Sequence, residues 1–218
     1  MTGDSHSRKD RLQRVPERGV YELDRIYQIV DEALICHVGF VQVGQPYVIP
    51  TIHARDGDKL LFHGATSSRL MKHIKEGHNL CVTITILDGL VIARSIFHHS
   101  MNYRSAVLFG KGKQLEDPDE ALRALELLTE HVMPGRWDDC RLPNEKEMKA
   151  TSVVSISIDA ASAKIRSGPP NDDEEDYGLP YWAGVFPIRQ SFLTPEADPR
   201  LESGIPLPAY IETYQRKG

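Results

Sequence analysis

Residues 34–64 read LICHVGFVQVGQPYVIPTIHARDGDKLLFHG, and the fold class follows from the pattern in this stretch. Three short runs rich in Val, Ile and Leu, at residues 34–43, 47–54 and 59–64, are separated by segments that contain Gly, Pro and Asp. This spacing predicts three strands joined by turns. The strands are expected to be antiparallel, because the connections are too short for crossovers. Pro50 cannot donate to a ladder, so we expect its strand at a sheet edge or at a bulge.

The same extended pattern recurs later in the chain. In CVTITIL at 81–87 apolar and polar residues alternate, which predicts a strand, and the DGL that follows predicts a turn. Another strand is predicted at 103–116, where Gly110 and Gly112 indicate a bulge or a barrel corner. The segment 151–168 supplies two last strands.

Helical spacing occurs in three other segments. Residues 23–33, 67–77 and 117–133 have apolar residues at three- and four-residue steps, which predicts amphipathic helices. In the third helix the predicted buried stripe consists of Leu122, Leu125, Leu128 and Val132. The order of elements predicts a mainly β fold with flanking helices (α+β), built on an antiparallel β-barrel.

Composition excludes several classes of protein. The chain has 218 residues and a formal net charge of -5, which disfavours nucleic acid as the main partner because phosphate-backbone binding needs a basic face. The polar N-terminus lacks the apolar core of a secretory signal, and no apolar run approaches the ~20 residues of a membrane span. Cys36, Cys81 and Cys140 are an odd number without CxxC spacing, which indicates reduced thiols rather than disulfides or zinc. We therefore expect a cytoplasmic protein with no membrane contact.

The segment HGATSSRLMKHI at 63–74 allows two interpretations. In the first, Ser67 or Ser68 caps a helix while Arg69 and Lys72 are solvated. In the second, the same helix start and its two cations hold a phosphate. The chain has no GxxxxGK[ST], no GxGxxG after a strand and no GxSxG, which excludes P-loop, Rossmann and hydrolase sites.

Across residues 14–188 the chain resembles the pyridoxamine 5′-phosphate oxidase-like superfamily of FMN-binding split barrels. Within it, the chain is similar to the flavin-nucleotide-binding branch, which includes the nitroimidazole reductases. The likeness rests on PYVIPTIHARDGDKLLFHGATSSRLMKHI, LCVTITILDGLVIARSIFHHSMNYRSAVLFGKG, PGRWDDCR, ATSVVSISIDAASAKIRSGPP and YWAG. The resemblance implies a split β-barrel, a homodimer with FMN at the subunit interface, and an FMN-dependent oxidoreductase acting on a small molecule.

The resemblance also implies which residues bind FMN. The strand segment expected along the flavin, mainly by its backbone, consists of Val48, Ile49, Pro50 and Thr51. His63 and Gly64 match the strand end beside the flavin. Ser68 and Arg69 match the serine–arginine pair that holds the FMN phosphate, so the resemblance favours a phosphate over mere capping at this segment.

Further positions follow from the same comparison. Ser105, directly after Arg104, matches a polar position that faces the flavin, and both residues are candidates for cofactor binding. Trp182 is a candidate for the flavin's side as well as for the core or an interface. Leu70 stands where the best-known members have a lysine, and Lys72 is the candidate to replace that charge from one turn away. The tandem Trp-and-Arg substrate signature of pyridoxamine phosphate oxidase is not recognisable near the C-terminus.

Two polar clusters remain open to other interpretations. In FHHSMNYRS at 97–105, His98 and His99 are adjacent and point to opposite sides of an extended chain, so no metal site is predicted. Haem ligation by one histidine, a flavin-edge or dimer-contact loop, and ordinary polar surface are the alternatives for this segment. The DDEED run at 172–176 is predicted to be a solvated loop.

These observations divide the chain into a flexible lead at 1–19, an FMN-binding split-barrel domain at 20–188 and a Pro-rich tail at 189–218. The expected partners are a second copy of the chain, a small-molecule substrate and, as a candidate electron donor, NAD(P)H. A haem-binding or haem-degrading split barrel and a flavin-storage protein without turnover are the alternative functions. His63 is the candidate catalytic residue, because a histidine near the flavin can transfer a proton at neutral pH; the alternative is a histidine bonded to backbone at a strand end.

Overall fold

In the computed structural model, which describes residues 11–158 and 160–214, two antiparallel sheets form the walls of a split barrel. The strands are β1 (Gly19–Val20), β2 (Ile35–Gln42), β3 (Gln45–Ile52), β4 (Ala54–Asp56), β5 (Lys59–Ala65), β6 (Asn79–Ile92), β7 (Ser100–Lys111), β8 (Lys113–Gln114), β9 (Thr151–Ser157), β10 (Ala161–Arg166) and β11 (Gly184–Pro187). The larger sheet has the order β1-β10-β7-β6-β2-β3 with β11 also paired to β6, and the smaller has the order β4-β5-β9-β8. The predicted antiparallel barrel is confirmed.

Helices flank the barrel. They are α1 (Leu23–Glu32), α2 (Arg69–Lys75), α3 (Pro118–Val132), α4 (Glu145–Ala150) and α5 (Ala209–Glu212). Short 3-10 turns lie at Pro16–Arg18, Ile96–His98, Trp137–Asp139 and Glu174–Gly178. Among the residues in the two described ranges, no helix is long and apolar enough to cross a membrane.

The opening stretch folds as expected, with Pro50 in a strand at the edge of a sheet. β2 and β3 form a hairpin whose second strand ends the larger sheet, so Pro50 leaves no ladder bond unmade. Gly112 lies at the predicted corner, where the chain leaves β7 in one sheet and enters β8 in the other. A Cβ on Gly112 would approach side-chain atoms of Ile74 and Val154 to 3.0 Å, so the corner requires a residue without a side chain.

The prediction of a turn at DGL is wrong. β6 runs through this segment without reversing, and the pairing with β7 shifts register between Leu87 and Gly89. The sequence signal belongs to a β-bulge, which also favours Gly and Asp. Beyond the bulge β6 continues to pair with β7, and β11, which the sequence did not predict, joins Gly89–Ile92 on the other edge of β6.

The buried stripe predicted for α3 is only partly correct. The buried residues are Ala121, Ala124 and Leu128, while Leu125 is partly buried. The small alanines face the sheet. The buried face of the helix therefore differs from the face predicted from its largest apolar residues.

Strand β5 separates two cores. Leu60 and Phe62 are fully buried in the main barrel core, and burial of such side chains contributes about 1.5–3 kcal/mol each. Leu61 instead packs in a second cluster under α3. Because side chains alternate along a strand, His63 follows Leu61 toward α3 and Gly64 follows Phe62 toward α2.

The two chain ends contact the domain where they are described. Lys164 Nζ donates to Arg14 O at 3.0 Å beside β1. Tyr210 Oη donates to Asp139 Oδ2 at 2.6 Å, and Tyr214 Oη donates to Val132 O at 2.9 Å, which attaches the tail to α3 and its following turn. Residues 1–10 of the predicted lead and 215–218 of the predicted tail lie outside the described residues.

Candidate functional site

The edge strand β3 presents an open surface. Of the four residues predicted along the flavin, Val48, Ile49 and Pro50 are exposed and Thr51 is half-buried. In the described part of the chain, β3 pairs with β2 on one side and with no strand on the other. Its backbone is therefore available to a ligand or to a second chain.

The junction between β5 and α2 lies beside this edge strand. Gly64 permits a close approach, because a Cβ there would come within 2.8 Å of Met71 Cε and 4.0 Å of Ser68 Oγ. Ser68 is the N-cap, and its Oγ accepts a hydrogen bond from Met71 N at 3.3 Å. The capping interpretation is thus correct, and it leaves Arg69 to be explained.

Arg69 has a free charge. Its guanidinium carbon lies 4.1 Å from the centroid of the Tyr47 ring on β3, a cation–π contact that fixes the side chain across the gap between α2 and the edge strand. Across the described ranges it forms no ion pair with a carboxylate, and Lys72, exposed one turn later, forms none either. The structure therefore brings Gly64, Ser68 and Arg69 together with β3.

Arg104 has a different role. It donates to both oxygens of Glu32, at 2.7 Å for Oε1, and to Asp88 at 2.7 and 2.9 Å, so it ties α1 to the bulge in β6. These hydrogen bonds, from Asp88 first and then Glu32, raise the pKa of Arg104. Ser105 Oγ donates to Lys164 O at 3.3 Å. Both residues lie on β7, separated from β3 in the sheet by β6 and β2, so one chain does not bring them to Arg69.

Trp182 is also distant along the sheet. It precedes β11 and is 69% exposed, with its ring 3.0 Å from the position that a Cβ on Gly184 would occupy. β11 pairs with residues 89–92 of β6, whereas β2 pairs with residues 81–83. Within one chain, Trp182 and the Arg69 junction therefore sit at different ends of β6.

His63 lies on the other face of β5 from Ser68. It lines a cavity of about 300 Å³ between α3, α4 and the strand ends, together with Trp137, Cys140, Arg141, Glu147 and their neighbours. Burial lowers the pKa of His63, and its buried Nδ1 has no hydrogen-bond partner in the described structure. Arg141 donates to Glu147 at 2.7 Å, so that cation is already paired. The cavity thus offers a neutral imidazole to a ligand.

The two histidines at 98 and 99 are already engaged. His98 Nε2 lies 3.2 Å from Asp173 Oδ2, and His99 Nδ1 lies 3.0 Å from Ser95 O. Within residues 11–158 and 160–214, no three His, Cys, Asp or Glu residues are grouped so as to hold a metal ion.

The prediction of a solvated loop at DDEED is wrong for its first residue, Asp172. Asp172 is buried, and its carboxylate accepts from Arg94 N, Ser95 N and the Arg94 guanidinium at 2.9–3.3 Å. Burial alone would raise the pKa of Asp172, but these hydrogen bonds lower it below its ordinary value. The run is acidic in part because it anchors the 3-10 turn at Glu174–Gly178 to the segment before β7.

The sequence interpretation missed an aromatic cluster next to the junction. Phe40 and Tyr47 stack with centroids 5.4 Å apart, Phe40 lies 4.8 Å from His73, and His73 lies 4.8 Å from His78. These rings line a cavity of about 910 Å³ between the β2–β3 hairpin, α2 and the start of β6. Alternation along β2 and β3 could have predicted that Phe40 and Tyr47 are neighbours, but their contact with α2 is long-range.

The antiparallel split barrel with flanking helices agrees with the fold that the sequence resemblance predicts. The sequence profile of the pyridoxamine 5′-phosphate oxidase family matches residues 22–165. The chain belongs to this flavin-binding family, as the sequence resemblance predicted.

Solved structures support the same conclusion. The flavocytochrome Anf3 from Azotobacter vinelandii is 38% identical, with a TM-score of 0.92 over 97% of this chain and 98% of that one. A FAD and haem binding protein from Mycobacterium smegmatis is 34% identical, with a TM-score of 0.85 over 89% of this chain and 96% of that one. A proposed 5-nitroimidazole antibiotic resistance protein from Bacteroides thetaiotaomicron is 24% identical, with a TM-score of 0.58 over 67% of this chain and 86% of that one, and it shows the fold alone. No curated protein matches the sequence significantly.

Proposed function

We propose that this protein is a flavin-dependent oxidoreductase that acts on a small molecule. The observation that carries the proposal is the unpaired Arg69, held by Tyr47 beside Ser68 and the open backbone of β3. When bound, the flavin ring supplies electron transfer, while the protein supplies binding and orientation. Family membership supports the cofactor class, and the substrate is the unassigned part.

In this proposal Arg69 holds the flavin's phosphate. A guanidinium forms two parallel hydrogen bonds with phosphate oxygens, and its contact with the Tyr47 ring reduces the side-chain freedom lost on binding. Lys72 adds a second charge on the same helix face. The sequence predicts FMN, and FAD contains the same phosphate, so this clamp serves both nucleotides.

A second copy of the chain completes the proposed site. The β2–β3 hairpin exposes a set of apolar side chains that a lone chain leaves in water: Ile35, Val41, Val48, Ile49 and Ile52. Arg104, Ser105 and Trp182 are remote from Arg69 within one chain, so a role for them at the flavin requires the partner subunit. Light scattering of the purified protein should give twice 24.5 kDa, and a flavin-loaded monomer would contradict this arrangement.

Two measurements test whether the protein binds a flavin and whether it reduces and reoxidises that flavin repeatedly. Purified protein should be yellow, and mass spectrometry of the released chromophore identifies the flavin. Reduction by NAD(P)H followed by repeated reoxidation with quinones or nitroaromatics would establish an oxidoreductase. A tightly bound flavin that no donor and acceptor pair turns over would instead support a flavin-storage protein.

His63 is the proposed hydrogen-bond donor to the small molecule. Its ring faces the cavity of about 300 Å³ while the next residue, Gly64, faces the phosphate junction, so the strand end joins the two sites. The lowered pKa keeps the ring neutral at pH 7, where it can donate or accept a hydrogen bond.

We expect His63→Gln to keep the flavin bound and to slow reoxidation of the reduced flavin, measured by stopped-flow absorbance. His99→Gln, at an exposed and already bonded histidine, is the control. If both variants match the wild type with every acceptor that turns over, His63 has a structural role only.

Haem is a second candidate, because the flavocytochrome and the FAD and haem binding protein both align over most of this chain. Of the histidines in the described ranges, His63 combines a cavity with a ring that has no hydrogen-bond partner, and it fits an axial ligand. A Soret band in the purified protein that His63→Ala removes, with the flavin retained, would support haem. A flavin-only spectrum would reject it.

A further inference from the structure

The connection between α3 and α4, residues 133–144, forms one wall of the cavity that His63 lines. Four of the ten residues around this cavity of about 300 Å³ belong to the connection: Trp137, Cys140, Arg141 and Pro143. The other lining residues lie on α3, α4 and two strand ends, which are regular elements. The shape of the cavity therefore depends on how the connection is held.

The C-terminal tail contacts this wall through Tyr210 on α5. Tyr210 Oη donates to Asp139 Oδ2 at 2.6 Å and accepts from Arg136 Nη1 at 3.1 Å. Carbons of its ring lie 3.3–3.5 Å from the position that a Cβ on Gly135 would occupy. One tail residue thus contacts the connection on both sides of Trp137.

The other contacts of the connection lie near its two ends. At the start, Glu130 accepts from Gly135 N at 2.7 Å and from Trp137 N at 2.9 Å. Toward the end, Arg141 donates to Glu147 at 2.7 Å. Residues 138–140 between them are exposed, and the connection is irregular apart from the 3-10 turn at Trp137–Asp139. Such a segment opens easily unless a neighbour holds it, and Tyr210 reaches it at Asp139.

We propose that Tyr210 is a positioning residue, which fixes this wall of the His63 cavity and thereby limits the small molecule to compact acceptors. Loss of its hydroxyl releases the middle of the connection, next to the lining residue Cys140, and leaves the ring against Gly135. The effect on acceptors rests on the proposed function, because it requires that the small molecule reacts in this cavity.

A second tyrosine on the same tail provides a matched control. Tyr214 Oη donates to Val132 O at 2.9 Å, and its ring packs edge-on against Phe192 with centroids 4.7 Å apart. Neither partner lines the cavity. Tyr214→Phe therefore removes one hydrogen bond of the tail and leaves the contacts of the wall in place.

The first measurement follows the wall itself and needs no turnover. The chain has two tryptophans, so in a Trp182→Phe background the fluorescence reports on Trp137 alone. Trp137 is half-buried in the wall, and acrylamide should quench it about twofold more strongly after Tyr210→Phe. Asp139→Ala, which removes the acceptor on the wall, should have the same effect, whereas Tyr214→Phe should match the unsubstituted background.

The second measurement compares a small and a larger acceptor, benzoquinone and naphthoquinone, in steady-state turnover of the protein with its own tryptophans. We expect Tyr210→Phe to raise the ratio of kcat/KM for naphthoquinone to that for benzoquinone about threefold. The change should lie mainly in KM, because a looser wall alters the fit of the acceptor rather than electron transfer. Tyr214→Phe should keep the wild-type ratio.

Each result bears on a separate part of the inference. Equal quenching of the Tyr210→Phe protein and its background, or an equal increase in Tyr214→Phe, would overturn the positioning role of Tyr210. Increased quenching with an unchanged acceptor ratio would overturn the limit on acceptors. If no donor and acceptor pair turns over, the proposed function fails, and the quenching comparison still decides whether Tyr210 holds the wall.

Discussion

Arg69 and Arg104 are two arginines on one barrel, but Arg69 is exposed, Arg104 is half-buried, and their partners differ. Arg104 bridges Glu32 and Asp88, so two carboxylates neutralise its charge and fix all three side chains. Arg69 rests on the Tyr47 ring and has no carboxylate partner among the described residues. A bridged cation connects parts of a fold, whereas an exposed cation without a carboxylate partner is available to an anionic ligand. Arg104 is therefore expected to contribute to stability and Arg69 to ligand binding, and each contribution can be measured.

Removal of the unpaired cation should have the largest effect on binding. Arg69→Ala is expected to lower flavin affinity ten- to hundredfold, because a hydrogen bond to a charged group contributes about 1.5–3 kcal/mol. The free energy of unfolding should stay within about 0.5 kcal/mol of wild type, as for other surface substitutions. Fluorescence titration measures the first effect and urea unfolding the second. Unchanged flavin affinity would mean that this helix start only caps itself.

Removal of the bridged cation should have the opposite pattern of effects, with a loss of stability and little change in flavin affinity. Arg104→Met removes the cation that bridges Glu32 and Asp88, and we expect the protein to lose about 2 kcal/mol of stability, less than for a fully buried pair because these side chains are 20–34% exposed. Flavin affinity should change less than tenfold. Arg141→Met is the matched control, since Arg141 makes a similar two-oxygen contact with Glu147 at an exposed site and its loss should be smaller. Equal losses for the two variants would contradict the assigned role of Arg104.

Asp172 is a buried anion, and acid unfolding measures its contribution to stability. The pKa of Asp172 is lowered in the folded protein, so its contribution to stability is present above the unfolded pKa of about 3.9 and is lost as pH falls through the folded value. Wild-type stability should therefore decrease below about pH 4. Asp172→Asn should be less stable at pH 7 and show a flatter pH dependence. Thermal unfolding from pH 3 to 7 measures both; parallel curves for the two proteins would exclude Asp172 as a contributor.

The smallest effect is expected at Lys72. Tyr47 holds Arg69, whereas Lys72 makes no such ring contact among the described residues. Lys72→Ala should therefore weaken flavin binding by only a few-fold and lose that difference at high salt, because solvent-exposed charges are screened. Lys75→Ala, at a lysine three residues further along α2, is the control. A Lys72 effect as large as that of Arg69 would show that the lysine, rather than the arginine, holds the phosphate.

Local patterns predicted most of the fold because alternation and turn residues are properties of neighbours in sequence. The hairpin of β2 and β3, the edge position of Pro50 and the corner at Gly112 all follow from such patterns. The bulge at Asp88 was missed because a bulge and a turn favour the same residues, and only the partner strand β11 distinguishes them. β4 has three residues, too few for a periodic signal.

The candidate site was predictable to the extent that it is contiguous. Gly64, Ser68 and Arg69 are close in sequence, and the structure brings them together with the edge strand. The partners of Arg104 are 72 and 16 residues away, so nothing local indicates that its charge is already bridged. The direction of the His63 ring depended on which face of β5 meets α3, which is a tertiary property.

The two prolines of β3 bear on the behaviour of the protein at high concentration. An edge strand rich in Val and Ile is a template for further strands and a starting point for aggregation. Pro46 and Pro50 stand opposite Val41 and His37 of β2, an even number of residues apart, so both occupy positions whose N–H would otherwise point outward. They remove two of the donors that an incoming strand would need and leave the outward N–H of Val48 between them. The edge can therefore stay open to a small ligand while resisting fibril-like growth.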